Sequence, residues 1–210
     1  DLSEKEINFF VNPKRFILFQ NLLGAKLGTE IKSLLNVASG PFAFENYVKG
    51  SRSVEIDAFD IDRRNNSLFR DLRKTKQFDH VCYKTCSVEE YSATKKYDLV
   101  LINDLFYHKG VKFFDLYDKL ASYVAPNGYV YFDLLDIRAQ KLWSALGKNE
   151  RFVRYDLNEV KAKIEESGFD LSSVTPSLGI GGKLDFAIRK LLLTQFNVAN
   201  NYIFLAKRKA

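Results

Sequence analysis

The sequence predicts an α/β fold: a seven-stranded, mostly parallel sheet with helices on both faces and an antiparallel terminal strand. Three observations carry that expectation. Apolar runs of strand length alternate with helical stretches through the first five units. YDLVLIN, 97–103, contains an unbroken apolar stretch, as a strand buried on both faces requires. The last two strand-like runs lack a full helix between them, which suits an antiparallel pair at one edge.

Taken in order, residues 3–10 and 13–27 read as helices, with Asn12 as cap and Pro13 in the first turn of the second. Residues 1–30 then form a helical cap, and 31–210 the main domain. The first strand is 33–38, and Pro41 opens a helix to about residue 49. The second strand is 54–60. Asp62 caps a helix to about residue 77, with Leu68, Phe69 and Leu72 inward and Arg63, Arg64, Arg70, Arg73, Lys74 and Lys76 outward. Strands at 80–85 and 97–103 follow. An amphipathic helix, 112–124, stops before the turn Pro126-Asn127-Gly128. Strand 128–135 and a short helix 137–146 come next. Residues 156–169 form a helix with Asp156 as cap, Glu159 three residues on and Gly168 at its end. The final strands are 171–176 and 201–207. Between them, 179–200 is longer than a hairpin needs. Its basic amphipathic core, KLDFAIRKLLL, reads either as a surface helix on the sheet edge or as a wall of a substrate site.

Composition bounds the function. Apolar residues are 46% and charged residues 28%, as in soluble globular proteins, and 18 Phe and 11 Tyr supply a large core. No uncharged run reaches the ~18 residues that span a bilayer. DLSEKEINFF lacks the basic-then-apolar order of a signal peptide. The chain has no Met, so it reads as a processed or trimmed product, or as one that lost residues in its preparation. Cys82 and Cys86, on one strand, would stand ~13 Å apart, too far for a disulfide. They read as two buried thiols in a reducing, cytoplasmic setting, and no His or Cys cluster joins them to hold a metal. A net charge of +6 permits nucleic acid, an acidic substrate or an anionic surface as partner without selecting one.

LLNVASGPFAFE, 34–45, and VEIDAFDID, 54–62, carry the candidate site. The first is an apolar run, a small-residue turn and a helix start. The second ends in Asp60 and Asp62, with Asp60 twenty residues past Gly40. A strand, tight turn, helix and second strand ending in an acid make a nucleoside-binding half-site. The turn brings backbone N–H groups to a ligand, and the acid accepts two ribose hydroxyls. The bland alternative is an ordinary strand–helix turn, with Asp60 merely ending its strand.

With these motifs the chain resembles the class I S-adenosylmethionine-dependent methyltransferases over about residues 30–208. That resemblance implies a Rossmann-like fold and S-adenosylmethionine as cofactor. The family's first strand ends in an acid-x-Gly-x-Gly-x-Gly pattern; here Asn36 holds the acidic position, and Ala38, Gly40 and Phe42 the three glycines. Only the central glycine is kept, and Phe42 brings bulk where glycine allows close approach. The resemblance places the cofactor against Asn36, Ala38, Ser39, Gly40, Asp60, Ile61, Cys86, Ser87 and Asn103, with Asp62 in reserve and Glu89 near the adenine. Asn103-Asp104-Leu105-Phe106-Tyr107-His108 ends the fourth strand, and Leu105 to His108 is similar to the Leu-Tyr-His ending of small members.

The expectation is methyl transfer to an oxygen or nitrogen of a small molecule or glycan intermediate. His108 is the candidate general base or substrate contact, with Tyr107 and Asp104 beside it; His80 reads as structural. A nucleic-acid methyltransferase is the alternative, because Asn103-Asp104-Leu105-Phe106 echoes the Asn-Pro-Pro-Phe motif and helix 62–77 is basic. A non-catalytic cofactor-binding protein also stays open. A nicotinamide oxidoreductase would want G-x-G-x-x-G, which ASGPFA, 38–43, does not supply.

Overall fold

The computed structural model describes residues 16–48, 53–74, 78–145, 152–177 and 183–210. The helix read at 3–10, Asn12 and Pro13 lie outside these residues. So does the GIGG stretch before KLDFAIRKLLL.

Seven strands form one sheet: β1 (Ser33–Val37), β2 (Glu55–Asp60), β3 (Val81–Thr85), β4 (Tyr97–Ile102), β5 (Val124–Leu135), β6 (Phe169–Ser177) and β7 (Asn201–Arg208). Their spatial order is β3-β2-β1-β4-β5-β7-β6. The pairs β1–β2, β2–β3, β1–β4 and β4–β5 are parallel, while β7 runs antiparallel to both β5 and β6. The expected mostly parallel sheet with an antiparallel terminal strand is therefore present.

Alternate residues of the central strands feed opposite cores. Val100 and Ile102 of β4 enter one core with Leu35 and Val37 of β1. Leu99 and Leu101 enter the other with Leu34 and Ile56. These four consecutive β4 side chains are fully buried, so the strand is apolar at every step from Leu99 to Ile102. The first core is closed by helices α4 (Phe113–Ser122) and α6 (Leu157–Glu166), through Phe113, Tyr117 and Leu120 of α4 and Leu157, Val160 and Ile164 of α6. The second is closed by α1 (Ile17–Leu23), α2 (Ala43–Val48) and α3 (Asn65–Arg73). Phe19 of α1 meets Phe44 and Tyr131 edge-on, so the described part of the helical cap shares its core with the sheet.

Several expected boundaries shift. Helix α3 begins at Asn65 and ends at Arg73, short of residue 77. Asp62 accepts the N–H of Arg64, so it caps the turn leading to α3 rather than α3 itself. Pro126-Asn127-Gly128 lies within β5, where the register against β4 shifts and Asn127 takes φ 63°. The short helix expected at 137–146 is a 3-10 turn, Ile137–Ala139, followed by α5 (Gln140–Ala145). Between β6 and β7 stands a 14-residue helix, α7 (Lys183–Phe196), so the edge pair is no simple hairpin. Cys82 is exposed and Cys86 half-buried, against the expectation of two buried thiols. The reason is that β3 is an edge strand whose side chains alternate outward. Among the described residues, no helix is long and apolar enough to cross a membrane.

Phe132 of β5 stacks on Phe204 of β7 with centroids 5.0 Å apart, and Phe106 and Phe113 surround it. Removing the ring leaves a cavity that packed neighbours cannot fill. We expect Phe132→Ala to lower the unfolding free energy by about 3–5 kcal/mol in a urea titration.

Candidate functional site

The strand order reverses between β1 and β4, so the chain leaves their C-terminal ends in opposite directions and opens a crevice. Val37 and Ile102 are register partners there, which makes Ala38 and Asn103 the next residues on either side. The turn after β1 has three left-handed residues: Ala38 (φ 53°), Gly40 (φ 62°) and Phe42 (φ 59°). These are the three positions of the glycine pattern. The glycine-like backbone survives although two of the glycines do not. Each L-residue in this region costs about 1–2 kcal/mol. Phe42 offsets its cost by burial: it is 1% exposed and packs on Phe69, Phe78 and Tyr83. Its bulk therefore points into the core, and the expected obstruction of the turn does not arise.

Asp60 locks this turn. Its Oδ2 accepts the N–H of Gly40 at 2.8 Å and its Oδ1 accepts the N–H of Asp62 at 2.8 Å. The backbone adds Ser39 N–H to the Phe59 carbonyl and Cys86 N–H to the Asp60 carbonyl. A carboxylate offers about four acceptor positions, so two remain for a ligand diol. Beside it Ile61 is 72% exposed, an apolar side chain free to cover a ligand. Asp62 is engaged elsewhere: the Arg64 guanidinium holds its carboxyl below the usual range.

Sequence reasoning missed Glu45. Asn36, at the acidic position of the pattern, donates from Nδ2 to Glu45 Oε1 at 2.7 Å. Glu45 is fully buried in the first turn of α2, and its Oε2 has no partner. Burial pushes its carboxyl up to about 7; the Asn36 hydrogen bond opposes the rise and the negative charge of Asp60 adds to it. The acid that the strand end lacks thus sits behind it, nine residues on. The signal for it in the sequence was a lone Glu on the apolar side of a short helix.

After β3, Ser87 and Glu90 form a reciprocal cap: Glu90 Oε2 accepts the Ser87 N–H and Ser87 Oγ accepts the Glu90 N–H. Glu90, rather than Glu89, makes this contact. Glu89 is exposed and its carbonyl accepts from Lys119 Nζ. Cys86 and Ser87 are half-buried beside the end of β2, and burial raises the Cys86 thiol.

At the end of β4, Asn103 is half-buried and Asp104 takes φ 57°. The Asp104 N–H donates to Asp133 Oδ1 at 2.7 Å, and Asn201 Nδ2 donates to Asp133 Oδ2 at 3.1 Å. Asp133 is 4% exposed and was not singled out from sequence. Tyr107 donates its hydroxyl proton to Asp104 Oδ1 at 2.6 Å. Leu105 and Phe106 turn into the core. His108 is exposed; its backbone N–H donates to the Leu105 carbonyl, and its ring lies 4.9 Å from that of Tyr107 and 6.2 Å from that of Phe152. The structure thus joins Asp104 and Tyr107 and leaves His108 beside them. His80 is half-buried and far from this edge, at the start of β3; burial lowers its pKa. Helix α7 connects the end of β6 to the start of β7, at this same edge. Phe186, Leu191 and Phe196 on it are exposed, and Leu193 packs on the core.

Two outcomes follow from the turn and its buried acid. Ala38→Gly relieves left-handed strain and should raise stability by about 1 kcal/mol, whereas Asp60→Ala removes two charge-assisted hydrogen bonds and should lower it by about 1.5–3 kcal/mol; denaturant midpoints measure both. Glu45 holds its proton in the native chain to a higher pH than in the unfolded one. Its contribution is present in full below the ordinary value of 4.5 and is lost as pH rises to about 7. We expect wild-type stability to fall relative to Glu45→Gln by on the order of 3 kcal/mol across that window. A difference that stays flat with pH would mean that the carboxyl is charged throughout.

No protein-family model and no curated protein sequence matches the chain. Solved structures share its fold. The N-methyltransferase NodS from Bradyrhizobium japonicum WM9, in complex with S-adenosyl-L-homocysteine, superposes with a TM-score of 0.67 at 14% identity over 99% of this chain and 94% of that one. Magnesium protoporphyrin IX methyltransferase from Synechocystis PCC 6803, also with bound S-adenosylhomocysteine, gives 0.68 at 11% over 100% and 89%. An S-adenosylmethionine-dependent methyltransferase from Clostridium acetobutylicum gives 0.65 at 11% over 100% and 94%. The sheet order, the antiparallel β7 and these superpositions together establish a Rossmann-like methyltransferase fold.

Proposed function

We propose that this chain is an S-adenosylmethionine-dependent methyltransferase acting on an oxygen or nitrogen of a small molecule or glycan intermediate. The observation that carries the reading is the turn at 38–42, which keeps a glycine-like backbone at non-glycine positions and is locked by Asp60 at the edge where such folds bind ligands. Two relatives in fold were crystallised with S-adenosylhomocysteine, which supports the same ligand here.

The residues fit this cofactor. The free acceptor positions of Asp60 suit the ribose hydroxyls. Ile61, Cys86 and Ser87 flank the place of the base. Ala38, Ser39, Gly40, Asn36 and Asn103 line the crevice toward the amino acid end. When bound, S-adenosylmethionine supplies a methyl group made electrophilic by its sulfonium. The chain's own task is then to hold an acceptor in line and to take its proton. His108 is the candidate base. Tyr107, oriented by Asp104, and Phe152 form the wall against which an acceptor ring would rest. Helix α7, which joins the end of β6 to the start of β7 at this edge, is the candidate for the far wall of the site. Two free thiols suit a reducing, cytoplasmic setting.

The nucleic-acid alternative draws less support. Within and beside α3, Arg64 pairs with Asp62 and Lys74 with Asp71, which neutralises part of the basic face.

Calorimetry with S-adenosylhomocysteine tests the cofactor; binding of NAD instead would select an oxidoreductase. His108→Ala should lower turnover about 10²–10⁴-fold while leaving S-adenosylhomocysteine affinity unchanged. Full turnover in a variant that melts earlier would make His108 structural and move the proton transfer to the Asp104–Tyr107 pair.

A further inference from the structure

We propose that Glu45 is the buried counter-charge of the crevice: it ionises when a cationic ligand enters, and so favours the sulfonium cofactor over its uncharged-sulfur product. The inference rests on the cofactor reading above and adds a specificity-determining residue to it.

The geometry is specific. Asn36 is the penultimate residue of β1, one before the crevice edge, and is 3% exposed. Its amide nitrogen is committed to Glu45 Oε1, so its orientation is set from behind by that carboxyl. Glu45 has no exposed surface, and among the described residues its Oε2 meets no hydrogen-bond donor. A buried carboxyl with an oxygen left unsatisfied is destabilising, so its place behind the strand end calls for a compensating interaction. The groups that act on it are Asn36 from β1, its own backbone N–H in α2 and, by its field, Asp60 at the end of β2. Phe44 and Val48 of the same helix belong to the apolar core on that side of the sheet. In such surroundings a charge is weakly screened, and a cation several ångströms away interacts strongly with it.

The proton balance follows. In the empty protein Asp60 and the apolar packing favour the neutral acid, and burial places its titration close to neutrality, at about 7. A cation in the crevice favours the carboxylate, and the proton passes to solvent. S-adenosylmethionine carries one more positive charge than S-adenosylhomocysteine, and the two share the rest of their structure. Loss of the methyl group therefore removes the charge that holds Glu45 ionised, and the carboxyl takes a proton back as the product is released. Glu45 acts through Asn36 and through space; it is a positioning and electrostatic residue, not a group that touches the reacting atoms.

The test is titration calorimetry of the full chain with each ligand at pH 6.5, in two buffers of different ionisation enthalpy. Wild type should release more protons with S-adenosylmethionine than with S-adenosylhomocysteine. Glu45→Gln should abolish that difference and reduce the affinity ratio of the two ligands about tenfold. The exchange Asn36→Asp with Glu45→Gln keeps one acid and one amide in the pair and should restore the ratio. Equal proton release with both ligands in wild type overturns the inference, even if Glu45→Gln fails to fold. An unchanged ratio in a folded Glu45→Gln does so too. Failure of either ligand to bind wild type at all overturns the methyltransferase reading itself, a result distinct from both.

Discussion

The site depends on one carboxylate. Asp60 accepts backbone N–H groups from Gly40 and from Asp62, one from the turn after β1 and one from its own following turn. A charge-assisted bond to backbone is about twice as strong as a neutral one, and it fixes main chain rather than a movable side chain. The two strand ends are thereby held in register beyond the last ladder bonds. With the Ser39 N–H bond to the Phe59 carbonyl, this clasp helps keep Ala38 and Phe42 in the left-handed region, where their Cβ atoms crowd the backbone.

The strain in that turn is stabilised from the core side. Phe42 sits among Phe69, Phe78 and Tyr83, which come from α3, the segment before β3, and β3 itself. Its ring docks three neighbouring segments onto the turn, and the burial of an aromatic side chain outweighs a cost of about 1–2 kcal/mol. The same residue that breaks the glycine pattern thus anchors the backbone shape that the pattern normally secures. Asn36 and Glu45 show a parallel exchange: the acid absent from the strand end returns from the helix, hydrogen-bonded to the amide in its place.

On the opposite side of the crevice the order comes from Asp133. It lies one residue past Phe132, whose stacking on Phe204 fixes β5 against β7. Its oxygens reach the N–H of Asp104 and the amide of Asn201, so three strand ends meet on one buried acid. Asp104 then presents its carboxylate to Tyr107. Tyr155 completes the base of this wall, donating to the Phe106 carbonyl and accepting from the Phe113 N–H. The proposed acceptor side is therefore rigid where it meets the sheet and open at His108 and Phe152.

Much of this was legible in the chain itself. Strand and helix order follows from apolar periodicity. Asp156 caps α6 through Asn158 and Glu159, and Gly168 ends it at φ 84°, because caps and left-handed glycines act within a few residues. Gly40 and Asp60 could be paired because a βαβ unit sets their spacing. What the sequence could not show are contacts made only when distant segments pack. Glu45 beneath Asn36 needs the helix folded back on its strand. Asp133 beside Asp104 needs β5 in register with β4. The inward direction of Phe42 needs a core for it to enter. The sequence by itself determined the order of the strands and the spacing that brings Asp60 to the turn at Gly40, since those rest on local propensity and on the length of a βαβ unit. Only the tertiary structure decided which side chains share a buried charge or a buried ring, because burial is a property of the packed whole and not of any window of the chain.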